Sequence, residues 1–508
     1  MATPWRLGMA LLGGGVLALA FSPVDQWWLA SLAIMVLVLV IAEATRGTSI
    51  RRSLALGALM GAIFGLAFFA ILTHWLRVIG PDAYALIVTL SLAFTAIFAA
   101  GTALLLRLPG WPVWVACWWI SVELLRSTIP FGGFPWGRLG HSQVDAPTAA
   151  WVTVGGVPTL GFVVAFLGTL AAAAVISGAH RQWRHVGLLG VVGVLVLASG
   201  LSLPTPTAGR EVTVAVVQGS VPDTGMDAFG RRQAVLDAHL GATHQLAEDV
   251  RAGVVDAPDF VVWPENASDI DPTVDDAAFA GISAAVGDVG VPVLVGLVVE
   301  VEGGARVANQ GTVWDPVEGP GDTYIKQHLV PFGEYVPLRD LLQRFISRLD
   351  RIPRDFAPGD QPGVLPIGPT TVADVICFDV AYDSAVRDAV AAGGEVITVQ
   401  TNNATYGATS QIDQQWAISR LRALEHGRTV VVASTSGISG VIAPNGDVTA
   451  RAPENVPAVI VETIAARTDQ TLATSFGAWP GRLIALLGWG ALAGSVFVIR
   501  RSHGKIEA

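Results

Sequence analysis

Two sparsely used residue types, lysine and cysteine, could form a catalytic site with a glutamate in this chain of 508 residues. The chain holds 31 lysines and arginines, but only Lys326 and Lys505 are lysines, and a compact ammonium can act on a reacting atom in ways that a guanidinium cannot. Of the two cysteines, Cys117 lies in an apolar run rich in tryptophan, whereas Cys377 follows a strand-like run. Glu265 follows another such run. A carboxylate, an ammonium and a thiol placed in polar breaks after hydrophobic runs favour a catalytic site over chance.

Together these groups favour acyl transfer. A thiol attacks only as a thiolate, so Cys377 requires a base and a nearby positive charge. Glu265 can accept the proton, while Lys326 can stabilise first the thiolate and then the oxyanion of a tetrahedral intermediate. Glu334, in a Gly-Glu-Tyr turn, is expected to hold the lysine or orient the reacting groups, and the alternative is a surface glutamate. A Cys-His protease site through His328 is disfavoured, because no asparagine or aspartate is evidently placed beside that histidine.

The composition indicates a membrane protein. Charged residues make up 14% of the chain and the mean hydropathy is +0.55, which is too apolar for an ordinary soluble protein. Helices long enough to cross about 30 Å of hydrocarbon are predicted at eight places, 7–22, 27–44, 54–76, 84–106, 110–126, 157–179, 185–203 and 481–499. The first also resembles a signal peptide ending at Ala18-Leu-Ala20, an alternative that leaves the orientation unchanged. In the third, Gly57, Gly61 and Gly65 would let a neighbouring helix approach closely.

Arginines and lysines in the loops predict the orientation, because such residues in short loops stay in the cytoplasm. They are concentrated in alternate connections: Arg6, Arg46, Arg51, Arg52, Arg107, Arg181, Arg184, Arg500, Arg501 and Lys505. The opposite connections hold only Arg77, Arg126 and Arg138. Both termini are therefore predicted to be cytoplasmic. The connection 127–156 would lie outside, where Arg138 could bind a lipid phosphate, with a packed loop as the alternative.

Residues 208–475, between the seventh and eighth spans, predict a separate globular domain on the extracytoplasmic side. The patterns indicate strands at 212–217, 260–263, 291–301, 308–314, 322–326, 372–377, 396–400, 429–434 and 438–443, and helices at 229–250, 273–287, 383–392 and 410–426. Such alternation is typical of a layered α/β domain. The predicted domains are a membrane domain of seven transmembrane helices at 1–207, a catalytic domain at 208–475, and a final helix with a cytoplasmic tail at 476–508.

The sequences around the three residues resemble those of a known family. Val262-Trp-Pro-Glu-Asn266, Lys326 with His328-Leu-Val-Pro-Phe-Gly-Glu-Tyr-Val-Pro337, and Ile376-Cys-Phe-Asp379 are similar to the Glu, Lys and Cys motifs of the nitrilase (carbon-nitrogen hydrolase) superfamily. The longer lysine motif, Phe134-Pro-Trp-Gly137 and the arrangement of spans resemble the apolipoprotein N-acyltransferase family, over nearly the whole chain. This resemblance implies a nitrilase-like α-β-β-α sandwich domain inserted in a polytopic α-helical membrane domain of about eight transmembrane helices.

The resemblance also implies a reaction in the bacterial cytoplasmic (inner) membrane. Cys377 would take an acyl chain from a phospholipid as a thioester and give it to the α-amino group of the diacylglyceryl-cysteine of an apolipoprotein, in lipoprotein maturation. Glu265 would be the general base, Lys326 the oxyanion stabiliser and Glu334 a supporting carboxylate. The implied substrate-binding residues are Asn309, Phe378, Asp379 and Arg138. After the cysteine the family often has Tyr-Glu, and the Phe-Asp of this chain departs from that pattern.

Two other classes of function are open alternatives. A membrane-tethered amidase or nitrilase would hydrolyse a small amide through the same three residues, although a soluble substrate does not require seven preceding spans. A non-catalytic binding domain or part of a transporter is disfavoured, because the spans show no convincing buried ionisable pair. The net charge of −10 argues against nucleic acid, and scattered histidines with no glycine-rich phosphate loop predict neither a metal nor another cofactor.

Overall fold

Two units make up the chain, one comprising Met1–Pro204 and Phe476–Ala508 and the other Thr205–Ser475. The computed structural model describes residues 3–220, 232–342 and 353–504. The helix predicted at 229–250 is observed from Arg232, and its first three predicted residues lie outside the described part.

The helices are α1 Pro4–Ala18, α2 Trp28–Thr45, α3 Ile50–Leu72, α4 Pro81–Leu105, α5 Trp111–Arg126, α6 Val152–Ala179, α7 Trp183–Ser199, α8 Arg232–Arg251, α9 Asp276–Val289, α10 Arg339–Leu342, α11 Asp383–Ala391, α12 Ser410–His426, α13 Leu472–Phe476 and α14 Trp479–Gly504. The strands are β1 Arg210–Gln218, β2 Phe260–Val262, β3 Val293–Val301, β4 Arg306–Asp315, β5 Gly319–Ile325, β6 Val364–Ile367, β7 Thr370–Ile376, β8 Val396–Thr401, β9 Val430–Ser434, β10 Gly440–Ile442, β11 Val448–Arg451 and β12 Ala458–Ala466.

Six segments in the described residues are long and apolar enough to cross a membrane: Trp28–Thr45, Ile50–Leu72, Pro81–Leu105, Ala149–Ala179, Trp183–Ser202 and Trp479–Val498. The predicted spans at 7–22 and 110–126 correspond to helices of only 15 and 16 residues, α1 and α5. A transmembrane helix usually needs about 17 to 25 residues. The total of eight spans therefore stays a prediction.

Small residues set the packing of α3 against α4. A Cβ built on Gly61 would lie 2.2 Å from the backbone oxygen of Thr95, so only a glycine lets the two backbones come this close. In α6 the backbone is not helical at Gly155 and Gly156. The helix nevertheless begins at Val152, five residues before the predicted start at residue 157.

A buried ion pair lies beside α5. Arg138 Nε is 3.7 Å from Glu123 Oε2, and both side chains are buried. Glu123 Oε1 also accepts hydrogen bonds from the backbone N–H of Leu139 and the indole N–H of Trp119. The arginine comes from a connecting loop, so the pair fastens that loop to α5. It does not test the expectation that the spans themselves hold no buried ionisable pair of the kind that a transport path uses.

The second unit contains two six-stranded sheets of the same construction. Their strand orders are β12-β1-β2-β3-β4-β5 and β11-β10-β9-β8-β7-β6. In each sheet three central strands are parallel, β1-β2-β3 and β7-β8-β9, and the flanking strands pair antiparallel. Because the carboxyl ends of parallel strands share one edge of a sheet, the residues that follow β7 and β8 lie at the same edge of the second sheet. A hydrogen bond from Asn402, after β8, to Glu265, after β2, joins that edge to the first sheet.

Alternation along β1 shows how the layers form. Val212, Val214 and Val216 pack into a core shared with strands of the other sheet, whereas Ala215 and Val217 pack with residues of α8 and α9. A strand covered on both faces reads as a continuous apolar run, as β1 does. Helices α11 and α12 contact the second sheet. The layers are therefore helix, sheet, sheet and helix, as expected for an α-β-β-α sandwich.

The sequence patterns missed the strands β6, β11 and β12, which lie at sheet edges. Strand β6 contains Pro366, which lacks a backbone donor and disfavours assignment as a strand. Strand β11 has four mostly exposed residues, so no apolar run marks it. Strand β12 is mostly half-exposed, yet it pairs with β1 along the whole of that strand.

Close packing at Gly296 in β3 generates a prediction. A Cβ there would lie 2.1 Å from the backbone oxygen of Pro264, in the turn that carries Glu265. We expect Gly296→Ala to destabilise the second unit by about 1–3 kcal/mol, the usual effect of overpacking. The measurement is the thermal unfolding midpoint in detergent.

The control for this variant is Gly287→Ala in α9, where a Cβ would meet nothing within 4 Å. An alanine within a helix is favoured over glycine by about 0.5–1 kcal/mol, so this midpoint should stay or rise. Equal midpoints for the two variants would contradict the close approach at Gly296.

Candidate active site

Three predicted catalytic residues lie just beyond strand ends of the second unit. Glu265 is the third residue after β2, Lys326 directly follows β5, and Cys377 directly follows β7. All three side chains are buried. The sheets thus deliver a carboxylate, an ammonium and a thiol from three different strands.

Lys326 bridges two carboxylates. Its Nζ donates to Glu265 Oε1 at 3.1 Å and to Glu334 Oε1 at 2.7 Å. Burial lowers the pKa of Lys326, but the carboxylates of Glu265 and Glu334 raise it by more, and the net pKa lies well above its usual value. Lys326 is therefore an ammonium at neutral pH. Burial raises the pKa of Glu334, and the nearby ammonium opposes that rise.

Glu265 is held by two further donors. The side-chain amide of Asn309 donates to Glu265 Oε1 at 2.6 Å, and the backbone N–H of Asn402 donates to Oε2 at 2.7 Å. The Asn309 amide also lies 3.3 Å from Glu334 Oε1. The structure thus brings Asn309 into the group around the lysine, where it orients carboxylates. Its predicted contact with substrate stays a prediction.

Cys377 occupies a strained turn. Its φ is +53°, in the left-handed region that disfavours residues with a Cβ, and it begins the 3-10 turn Cys377–Ala381. The side-chain amide of Gln415, on α12, donates to the Cys377 carbonyl at 3.3 Å and to the hydroxyl of Thr401 at 3.0 Å. That hydroxyl in turn hydrogen-bonds the Cys377 side chain. A tight turn after a strand, supported from α12, fixes the position of the sulfur.

The resting sulfur is a neutral thiol. Burial raises the pKa of Cys377 to about 12, and the negative charge of Glu265 adds to the rise. The Lys326 ammonium and the Thr401 hydrogen bond act in the opposite direction but are outweighed. Glu265 and Lys326 are thus close enough to Cys377 to change the pKa of its thiol. Since little thiolate exists at neutral pH, the sulfur must lose its proton to a base as it attacks.

Asp379 ties the cysteine turn to the lysine segment. Its Oδ2 accepts from the Tyr324 hydroxyl at 2.8 Å, and its Oδ1 accepts from the backbone N–H of His328 at 2.8 Å. Tyr324 and His328 lie two residues before and two residues after Lys326. Asp379 is fully buried, so these contacts position the site, and its predicted contact with substrate stays a prediction.

An aspartate does lie beside His328, contrary to expectation, because Asp379 Oδ1 is 3.0 Å from His328 Nδ1. The two residues are 51 positions apart, too far for sequence spacing to show the contact. The imidazole also stacks on Tyr382, with ring centroids 3.9 Å apart. The charges that shift the pKa of Cys377 come from Glu265, Lys326 and Glu334, and His328 is not among them.

The other two predicted substrate-binding residues contact side chains of their own units. Phe378 is buried and packs edge-on against Tyr382, at 5.4 Å between ring centroids. Arg138 belongs to the first unit, where it pairs with Glu123. The substrate roles of both residues stay predictions.

Thr401, Asn402 and Gln415 contact the catalytic groups but were not identified from the sequence. Thr401 and Asn402 form a polar break at the carboxyl end of the buried strand β8. The same signal marked Glu265 and Cys377, so it could have identified these two. Gln415 lies within α12, and nothing in a helical pattern singles it out.

Models of two protein families match the chain. The apolipoprotein N-acyltransferase N-terminal domain matches residues 13–170, and the carbon-nitrogen hydrolase domain matches residues 213–472. A curated apolipoprotein N-acyltransferase of Mycolicibacterium smegmatis is 37% identical over 499 residues, covering 93% of this chain and 82% of that protein. Another, of Pseudomonas paraeruginosa, is 32% identical over 518 residues, covering 95% of each. The similarity extends over both units.

Among solved structures, the chain is similar to an amidase from Nesterenkonia sp. The identity is 18%, the TM-score is 0.36, and the match covers 52% of this chain and 95% of the amidase. The carbon-nitrogen hydrolase match, over the residues that form the two sheets, confirms the predicted nitrilase-like fold of the second unit.

The charges near Cys377 predict that Glu265→Gln makes the thiol easier to alkylate but slows acyl transfer. Glu265→Gln removes a negative charge that raises the pKa of the thiol, so alkylation of Cys377 by iodoacetamide should begin at lower pH. Acyl transfer should nevertheless fall about 10²- to 10⁴-fold, because the general base is lost. Both rates are measured against pH in a Cys117→Ala background.

Glu265→Asp is the matched control, since it retains the charge and should leave the alkylation profile closer to that of the parent. An alkylation profile that moves to higher pH in Glu265→Gln, or undiminished acyl transfer, would show that Glu265 is not the base that faces the sulfur.

Proposed function

Since the chain belongs to the apolipoprotein N-acyltransferase family, we propose that Glu265, Lys326 and Cys377 carry out its acyl transfer. The enzyme is an acyltransferase of lipoprotein maturation, and its substrates are lipids and lipoproteins at a membrane. The observation that carries the assignment of residues is the buried contact of the Lys326 ammonium with Glu265, in electrostatic reach of the Cys377 thiol.

In the first half of the reaction a phospholipid donates its acyl chain. Glu265 takes the thiol proton as the sulfur of Cys377 attacks the ester carbonyl, and a carbon–sulfur bond forms. The oxyanion of the tetrahedral intermediate lies against the Lys326 ammonium. The intermediate then expels the glycerol oxygen, which takes the proton from Glu265. The products are a lysophospholipid and a thioester on Cys377.

In the second half the acceptor is the α-amino group of the diacylglyceryl-cysteine of an apolipoprotein. Its nitrogen attacks the thioester carbon while Glu265 accepts a proton from the amine. Lys326 again stabilises the oxyanion. Collapse breaks the carbon–sulfur bond, and the sulfur recovers the proton from Glu265. One acyl chain has moved between two lipids, and the enzyme returns to its neutral thiol.

Burial suits a thioester that must wait for an amine. Glu265, Lys326 and Cys377 are respectively 4%, 1% and 8% exposed, which leaves little room for water as a competing nucleophile. The ammonium that stabilises the oxyanion is fixed by Glu265 and Glu334 before substrate binds. The site therefore needs little reorganisation as charge develops.

The proposed setting is the bacterial cytoplasmic (inner) membrane. Residues 1–207 and 476–508 form the membrane domain, with eight spans in total, and residues 208–475 form the catalytic domain on the extracytoplasmic face. Both termini are cytoplasmic, as the arginines of alternate loops indicate. In this arrangement both lipid substrates reach the enzyme by lateral diffusion.

The reaction predicts a covalent intermediate. Protein incubated with phospholipid vesicles that carry a labelled acyl chain should gain one acyl group, and hydroxylamine should remove it. The measurement is intact-mass spectrometry followed by peptide mapping to Cys377. Cys377→Ala should abolish the adduct, whereas Cys117→Ala should keep it, because Cys117 lies in α5 of the other unit. Steady release of free fatty acid without an adduct would instead favour a hydrolase.

The orientation predicts which positions are accessible from outside. Val317 is 91% exposed in the second unit, and Arg46 is exposed between α2 and α3. A membrane-impermeant maleimide should label Val317→Cys in intact spheroplasts and should label Arg46→Cys only after permeabilisation. The opposite labelling would overturn the proposed orientation.

A further inference from the structure

A further buried carboxyl group lies on the nucleophile's strand and exchanges no proton with the substrates in the proposed acyl transfer. Asp374, three residues before Cys377 in β7, is fully buried. Its Oδ1 accepts a hydrogen bond from the Thr398 hydroxyl at 2.7 Å, from the neighbouring strand β8. Its Oδ2 has no hydrogen-bond partner among the described residues. A buried carboxylate oxygen without a donor is unfavourable and needs an explanation.

The side-chain oxygen of Gln400 also lacks a hydrogen-bond donor. Within the described part of the chain, Gln400 Oε1 is also buried without a partner. A Cβ built on Gly311, in the other sheet, would lie 2.5 Å from Asp374 Oδ2 and 2.6 Å from Gln400 Oε1. The two acceptor oxygens therefore both lie against Gly311, within about 5 Å of each other, and this close packing leaves no space for a Cβ.

The orientation of the Gln400 amide is fixed from its other side. Its Nε2 donates to the backbone oxygen of Trp263 at 2.7 Å. A carbonyl oxygen can only accept, so the atom that faces Trp263 must be the nitrogen. The atom near Asp374 is consequently the oxygen. Two acceptors that share one buried space are both satisfied if one of them carries a proton.

We propose that Asp374 is held in the folded enzyme as a neutral carboxylic acid whose Oδ2–H donates to Gln400 Oε1. The hydrogen bonds then run from Asp374 to Gln400 and on to Trp263. Asp374 lies three residues before Cys377, and Trp263 lies two residues before Glu265. Asp374 is thus a positioning residue that joins the strand of the nucleophile to the strand of the base. Its effect on catalysis, though not its protonation, rests on the proposed function.

The surrounding groups favour the neutral form. Burial raises the pKa of Asp374 to about 7, the Thr398 hydrogen bond lowers it, and the negative charge of Asp379 raises it. From β5 the nearby titratable group is Tyr324, whose hydroxyl donates to Asp379. Strands β4 and β8 contribute Gly311, Thr398 and Gln400, which do not titrate. No lysine, arginine or histidine among the described residues is a cause of the shift.

The raised pKa of Asp374 determines how the stability of the folded enzyme changes with pH. An unfolded aspartic acid has a pKa of about 3.9, so between that pH and about 7 the folded state binds more protons than the unfolded state. The stabilising contribution of the neutral acid is complete below about pH 4 and is lost as the pH rises to about 7. Above that pH the contribution no longer changes.

The test uses Asp374→Asn in the full-length protein. The asparagine amide replaces the acid O–H as donor to Gln400 but does not titrate. From about pH 5 to about pH 8.5, spanning the titration, the thermal midpoint of the parent should fall relative to that of this variant. An alkaline decline in acyl-transfer kcat, with a midpoint at about pH 7, should also disappear. Infrared difference spectra should show a protonated carboxyl stretch at acidic pH that the variant lacks.

Two further variants keep the proposal falsifiable. Thr398→Val removes a hydrogen bond that lowers the pKa of Asp374, so the parent's alkaline decline should move to higher pH. Asp374→Leu, which cannot donate, should lower the midpoint at every pH. If Asp374→Asn is less stable than the parent at every pH and no protonated carboxyl is seen, Asp374 is ionised and the proposal is overturned. Failure to form a thioester would reject the proposed function while these stability and infrared results still stand.

Discussion

The catalytic arrangement depends on one buried ammonium held between two carboxylates. Removing Lys326, Glu265 and most of Glu334 from water is unfavourable, and their attraction compensates only if the remaining polar atoms are also satisfied. The structure provides for this through the amide of Asn309 and through backbone N–H groups that donate to both glutamates. Loss of one partner from such a group typically costs about 3–5 kcal/mol. Stability and catalysis therefore depend on the same contacts.

Polar side chains without solvent contact also fix the nucleophile. Gln415 holds its backbone carbonyl, and Asp379 connects its turn to the lysine segment. Arg422, fully buried on α12, donates to the carbonyls of Val380 and Ala381 at 2.9 and 3.1 Å. The left-handed backbone of Cys377 is thus maintained by contacts from outside its own strand. Strain at one residue persists only when its surroundings determine it in this way.

Features that depend on neighbouring residues, such as the bounds of a helix, are predicted well from the sequence. The helix predicted at 410–426 is observed as Ser410–His426, because Thr409 caps its start and Gly427 ends it with a positive φ. Glu265 and Cys377 were found because each follows a buried strand, whereas Lys326 follows the mostly exposed β5 and was found because lysine is rare in this chain. Contacts across the sandwich were not predictable, since Asp379 and His328, or Asn402 and Glu265, become neighbours only when strands take their places in the sheets. The burial of Arg138 likewise depends on Glu123, from a helix earlier in the chain.

The neutral state of the Cys377 thiol has a consequence for the lifetime of the enzyme. Peroxides oxidise thiolates rather than thiols, and the first product, a sulfenic acid, leads to irreversible sulfinic and sulfonic acids. A sulfur whose pKa is about 12 offers these oxidants almost no reactive form between turnovers. In the extracytoplasmic orientation proposed above, the surroundings are oxidising, and the low fraction of thiolate would protect the nucleophile from this damage.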